Sequence, residues 1–194
     1  MTSGLEDTLA AAAARGRPTL YLDTNVLLDI VRPQRRRKES RQLVEEWQAK
    51  SWFCVSSYFA QMEALDAVQE IEWFLSRANQ GHSIGSLLRR RRDRRDLSPR
   101  ELNKVSRDFY SQLVPEIQDY IEWIDLGQDA WEVAMRLATA TNSSAPDCIH
   151  VAAAISRKCD ALVTSDRPLG ETAAGEIEVA EPREVLSWLR TISI

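Results

Sequence analysis

Thr19-Leu20-Tyr21-Leu22-Asp23 is a short apolar run closed by a carboxylate. A run of this kind reads as a central strand buried on both faces, with its last residue emerging at the edge of the sheet. Ala161-Leu162-Val163-Thr164-Ser165-Asp166 repeats the design, apolar until a terminal Asp. Trp52-Phe53-Cys54-Val55 reads as another strand, Ile121 to Leu126 as a more exposed one, and Ile177 to Ala180 as the last. Helical patterns lie between these runs, and strands separated by helices imply parallel pairing with helices on both faces. The fold class predicted is therefore α/β, three layers, with a central and mostly parallel sheet flanked by helices. Sites in such folds lie beyond the C-terminal ends of the strands, where Asp23 and Asp166 stand.

The helices carry their own signals. Ser3 with Glu6 three residues later is a capping box opening an Ala-rich helix, which Gly16 ends before Pro18 forces the chain extended. This marks residues 1–18 as an N-terminal helical extension. Leu43, Val44 and Trp47 recur at helical spacing after Pro33, and Ser56 or Ser57 can cap a helix running through Glu63 to about Ala78. Ser98-Pro99-Arg100-Glu101 places Ser at the N-cap, Pro at the first turn and Glu three residues on, with Leu102, Val105, Phe109 and Leu113 as one apolar face. Trp131, Ala134, Met135 and Leu137 mark a further helix, which Asn142-Ser143-Ser144 breaks. Ala145-Pro146-Asp147 starts the next, packing through Ile149, Ala152, Ala153 and Ile155, and a last helix runs from Pro182 to Leu189. With 194 residues and 44% hydrophobic content the chain predicts one domain, at residues 19–190, enlarged by a helical Arg-rich segment at about 79–118.

Composition narrows the function classes. Cys54, Cys148 and Cys159 show neither CxxC spacing nor partnering histidines, so neither a disulfide framework nor a zinc site is indicated, and a reducing cytoplasm is expected. The run Leu9 to Ala14 follows Glu6 and Asp7 rather than a basic segment and does not read as a signal peptide. No stretch approaches the roughly 18 consecutive apolar residues of a membrane span. The net charge is −4, yet Arg89 to Asp96 carries +4 and Arg32 to Arg41 carries +5, which leaves −13 on the remainder. An acidic chain with two basic segments suits a pocket that holds cations beneath a rim that meets phosphates; solvated helix faces are the alternative for each run.

Asp23, Glu63, Asp147 and Asp166 form the constellation that carries chemistry: two strand ends, one helix start and one helix interior. Like charges at ~4 Å repel by ~1 kcal/mol in water and ~4 kcal/mol at an effective dielectric of ~20. Either these acids do not meet, or cations hold them. Taken singly, Asp23 and Asp166 could form turns, Asp147 could interact with its own helix N-terminus, and Glu63 could be solvated. Hard oxygen ligands select Mg²⁺ or Mn²⁺ over zinc, and such ions generate hydroxide from water and stabilise charge on a phosphodiester. That is nuclease chemistry.

Tyr21-Leu22-Asp23-Thr24-Asn25-Val26-Leu27-Leu28-Asp29 resembles the opening motif of the PIN-domain family, especially its VapC-type toxin branch. Val55 to Glu63, Pro146 to Ala154 and Leu162 to Asp166 resemble the second, third and fourth motifs, in order and at the wide spacing the family shows. The resemblance covers about residues 19–190. It implies a PIN-like fold, Asp23, Glu63, Asp147 and Asp166 as catalytic metal-binding acids for Mg²⁺ or Mn²⁺, and Asn25, Thr164 and Ser165 as supporting polar groups. His150 matches a position commonly occupied in these toxins, though its place on a packing helix reads as a structural histidine. The segment between Glu63 and Ile121 is longer than in a typical small toxin of this branch, and the N-terminal helix is a second addition.

A metal-dependent endoribonuclease, the toxin of a toxin–antitoxin pair, is the function this predicts. Its expected partners are an RNA substrate, an antitoxin protein and, in a homodimer, a second copy of the chain. Arg89, Arg90, Arg91 and Arg92 are the expected contacts to the RNA backbone, or a docking strip for an acidic partner segment. Two alternatives remain: a PIN nuclease of RNA processing or decay without an antitoxin, and a non-catalytic module that binds RNA or protein. A phosphatase of similar architecture is disfavoured, because Asp23-Thr24-Asn25 lacks the second Asp of the DxD nucleophile pattern.

Overall fold

The computed structural model describes residues 3–31, 38–90 and 97–192, with 112–114 and 116 described by their backbone alone. Among these residues five parallel strands form the sheet: β1 (Leu20–Leu22), β2 (Cys54–Ser57), β3 (Ile121–Ile124), β4 (Ala161–Val163) and β5 (Glu178–Ala180), in the order β3-β2-β1-β4-β5. Among the described residues the helices are α1 (Ser3–Ala14), α2 (Thr24–Val31), α3 (Glu39–Ala49), α4 (Tyr58–Asn79), α5 (Ile84–Arg89), α6 (Pro99–Ile117), α7 (Gln128–Ala140), α8 (Ala145–Ser156), α9 (Arg167–Ala173) and α10 (Pro182–Thr191).

The two-residue repeat of the strands makes the three layers. Leu20 and Leu22 of β1, with Ala161 and Val163 of β4, join one core with Leu9, Leu27, Leu43, Trp47, Ala64 and Trp188 from helices on that side. Tyr21 and Leu162 point the other way, into a second core with Ala134, Leu137, Cys148, Val151 and Leu169 from α7, α8 and α9. Tyr21 therefore faces α8 while its neighbours face α3 and α10. A third, small cluster joins Trp73 of α4, Leu87 of α5 and Leu97, giving the enlarged segment a core of its own.

Several boundaries differ from the sequence reading. The second strand begins at Cys54 rather than Trp52 and runs through Ser57, because Ser56 Oγ donates to Leu22 O at 2.8 Å and both serines are buried. Strand β4 ends at Val163, so Asp166 stands three residues beyond it. Helix α4 is continuous to Asn79, and α2, α5 and α9 are helices that no pattern announced. Ser98 caps α6 as read: its hydroxyl accepts from Glu101 N–H, and the Glu101 carboxylate accepts from Ser98 N–H at 2.7 Å. Among the described residues no helix is long and apolar enough to cross a membrane, and all three cysteines are free and buried.

Candidate active site

Parallel pairing of β1 with β4 places Leu22 opposite Val163, and Asp23 N–H donates to Val163 O at 3.1 Å. The residue after each strand therefore meets the other. Thr164 Oγ1 donates to Asp23 Oδ2 at 2.8 Å, Asn25 Nδ2 donates to the same oxygen at 3.2 Å, and Thr24 N–H donates to Oδ1 at 2.5 Å. Asp23 is only 3% exposed, and burial lifts its pKa above the ordinary carboxylate value against the pull of His150 and these donors. A carboxylate so deeply placed and so fully held has its orientation set by the backbone ends of two strands.

Glu63 reaches the same place from a helix. Ser57 caps α4 by accepting from Ala60 N–H at 3.1 Å, which fixes the helix to the end of β2 and sets Glu63 in its second turn. Thr24 Oγ1 donates to Glu63 Oε2 at 2.8 Å, and His150 Nε2 lies 2.5 Å from that oxygen. The same nitrogen stands 3.6 Å from Asp23 Oδ1. Burial would raise the Glu63 pKa, but the hydrogen bond and charge of His150 and the Thr24 hydroxyl bring it below the ordinary range. Burial pulls the His150 pKa down; its hydrogen bond to Glu63 and the fields of Asp23, Glu63 and Asp147 more than offset this and raise it. The imidazole thus stands between two carboxylates, with Nε2 turned toward both.

Asp147 and Asp166 stand further out. Asp147 lies in the first turn of α8, where its N–H donates to the Ser144 hydroxyl at 3.2 Å, and it is one turn before His150. Asp166 is the N-cap residue of α9, with its N–H donating to Thr164 Oγ1 at 2.8 Å, so Thr164 links it to Asp23. Both are half-buried. Among the described residues, no group of three or more His, Cys, Asp and Glu side chains comes together closely enough to hold a metal ion. The oxygens of Asp23 and Glu63 nonetheless supply the hard donors that Mg²⁺ or Mn²⁺ prefers.

Of the supporting residues expected from sequence, Asn25 and Thr164 both touch Asp23, whereas Ser165 lines a 230 Å³ recess with Asp29, Ser40 and Arg183. Arg89 ends α5 and Arg90 follows it, both exposed, while Arg91 and Arg92 lie outside the described residues. Tyr21 and Thr24 are site residues that the sequence reading passed over, and His150 is a third that it assigned to packing. Two signals pointed to them: Tyr21 shares a strand face with Asp23 two residues on, and His150 shares a helix face with Asp147 three residues before.

Ser144 anchors the helix that presents Asp147 and His150, so its loss should be felt in stability. Ser144→Ala should lower unfolding stability by about 1 kcal/mol, the usual cost of a missing N-cap. Denaturant titration reads this directly, and an unchanged midpoint would contradict the role of the cap.

The family model described as PIN domain matches residues 20–175. No curated protein matches the chain. Among solved structures, VapBC2 from Rickettsia felis bound to a DNA fragment from its promoter is similar at 13% identity and a TM-score of 0.51, covering 84% of this chain and 98% of that one. FitAcB from Neisseria gonorrhoeae is 14% identical with a TM-score of 0.49, covering 84% and 98%. A toxin–antitoxin complex from Klebsiella pneumoniae is 18% identical with a TM-score of 0.47, covering 84% and 97%.

Proposed function

The chain belongs to the PIN domain family, and we propose that it is a metal-dependent endoribonuclease, the toxin of a toxin–antitoxin pair. The observation that carries this reading is the pairing of Asp23 and Glu63 on one imidazole: a strand-end acid and a helical acid, far apart in the chain, both facing His150 Nε2 beyond the sheet. A scaffold that merely binds has no need to keep mutually repelling carboxylates together, which disfavours the non-catalytic module. The likeness in fold to VapBC2 from Rickettsia felis supports this reading, and we assign the protein partner as an antitoxin.

Asp23 and Glu63, with Asp147 and Asp166 around them, would hold Mg²⁺ or Mn²⁺. Bound there, a divalent ion supplies Lewis acidity toward a phosphodiester and a lowered pKa for water. The protein's own part is positional. Thr164, Asn25 and the Thr24 N–H keep the Asp23 carboxylate aimed, and Thr24 and His150 keep Glu63 beside it. Incubation of the purified protein with a circular RNA and Mg²⁺ or Mn²⁺ tests the reading, because a circle has no ends and only an endonuclease opens it. Linear products that vanish with chelator are expected; an intact circle under every metal condition would reject the proposal.

Arg89 to Arg92 we assign to the RNA backbone, since a phosphate approaching a negative pocket needs flanking cations and arginine meets phosphate bidentately. Neutralising all four should weaken RNA binding, flatten its salt dependence by roughly 0.7 log units per lost phosphate contact, and leave the saturated cleavage rate nearly unchanged. Unaltered affinity and salt slope would reject the assignment, and weakened binding to a co-purified partner would replace it with a docking role.

A further inference from the structure

Tyr21 is fully buried on β1, facing α8, and its hydroxyl lies 3.0 Å from His150 Nδ1 and 2.9 Å from Ser57 Oγ. His150 is itself 2% exposed. Its ring meets Tyr21 and Phe59 edge-on, with centroids 5.9 and 5.5 Å away, and its second nitrogen, Nε2, faces Glu63 at 2.5 Å. The imidazole is therefore fixed at both nitrogens and along its edges. Glu63 has the opposite character: a long side chain with three rotatable bonds, its carboxylate partly open to solvent. What holds that carboxylate toward Asp23 is the convergence of Thr24 Oγ1 and His150 Nε2 on its Oε2 atom.

We propose that Tyr21 and His150 are a positioning pair: Tyr21 locks the imidazole from behind, and the imidazole holds the Glu63 carboxylate turned toward Asp23, ready to take up a divalent ion. This rests on the metal-centre reading above. Neither residue is a catalytic residue in this assignment, since both act through Glu63. Hydrogen-bonding partners of metal ligands set ligand orientation, and their loss typically costs ~10–100-fold in metal affinity or activity. Serine at position 57 completes the chain of bonds, because its hydroxyl meets Tyr21 while capping the helix that carries Glu63. Strand β1 thus supplies the anchor for one acid, Tyr21, and ends directly before the other, Asp23.

Direct Mn²⁺ titration, followed by loss of the free-ion electron paramagnetic resonance signal, tests the pair without reference to cleavage. Wild type, Tyr21→Phe, His150→Leu and His150→Gln are compared, each with its melting temperature. His150→Leu should weaken Mn²⁺ binding ~10–100-fold. His150→Gln should recover most of that loss, because its terminal amide can place an N–H near the position of Nε2. Tyr21→Phe, which keeps the ring and removes only the hydroxyl, should weaken binding several-fold, and it carries the test should His150→Leu not fold. Wild-type affinity in folded Tyr21→Phe and His150→Leu, or a Gln variant no better than Leu, would overturn the proposal. If the wild type itself took up no Mn²⁺, the metal-centre reading would fall and this inference with it.

Discussion

Asp23→Asn should lose at least ~100-fold in cleavage rate while the protein remains folded. The carboxylate is 3% exposed and accepts from Thr164, Asn25 and the Thr24 backbone. An asparagine keeps the shape and the acceptor for Thr24, but it brings no negative charge for a cation. Ion stabilisation of a transition state amounts to several kcal/mol, and each ~1.4 kcal/mol is tenfold in rate. The stability effect runs the other way. Because burial holds the folded-state pKa of Asp23 above its ordinary value, the ionised form costs stability once pH passes the unfolded value, and the amide removes that cost. The melting temperature without metal should hold or rise. Asp147→Asn and Asp166→Asn should lose cleavage in the same way; full activity in any of the three would remove that residue from the site.

Glu63→Gln should lose cleavage on the same scale, whereas Asp66→Asn, three positions along α4, should stay within about two-fold of wild type, as exposed substitutions usually do. Positions i and i+3 share a helix face, so sequence alone leaves Asp66 as a rival. The two differ in surroundings. Glu63 is half-buried against Thr24 and His150, while Asp66 is exposed. A dead Asp66→Asn beside an active Glu63→Gln would reverse the assignment.

Much of this was legible before any coordinates, for identifiable reasons. Leu20-Tyr21-Leu22 and Ala161-Leu162-Val163 are apolar at every position because both faces of these strands are covered, and that pattern alone predicts a parallel sheet under two helical layers. Ser98, and the pair Ser56 and Ser57, announced their helices by local capping chemistry, which needs no tertiary partner. Helix α9 was hidden because Asp166 read as a turn former, although Asp166 O accepts from Gly170 N–H and closes a helical turn there. Ser56 and Ser57 look like punctuation, yet the bond from Ser56 to Leu22 carries the strand through them, a tertiary contact that propensity cannot see. The partners of His150 were hidden for a related reason: Val151, Ala152, Ala153 and Ala154 around it are all core residues, and only the position of Glu63, 87 residues away, reveals what the imidazole meets.

Whether Asp23 and its neighbouring acids form a metal-dependent centre that cuts RNA is decided by one gel. Wild type and Asp23→Asn, purified in the same way, are incubated with a mixed RNA pool across a range of Mn²⁺ and Mg²⁺ concentrations. Cleavage that rises with metal in the wild type and is absent in Asp23→Asn is the predicted result; equal cleavage by the two proteins, or cleavage indifferent to metal, would contradict it.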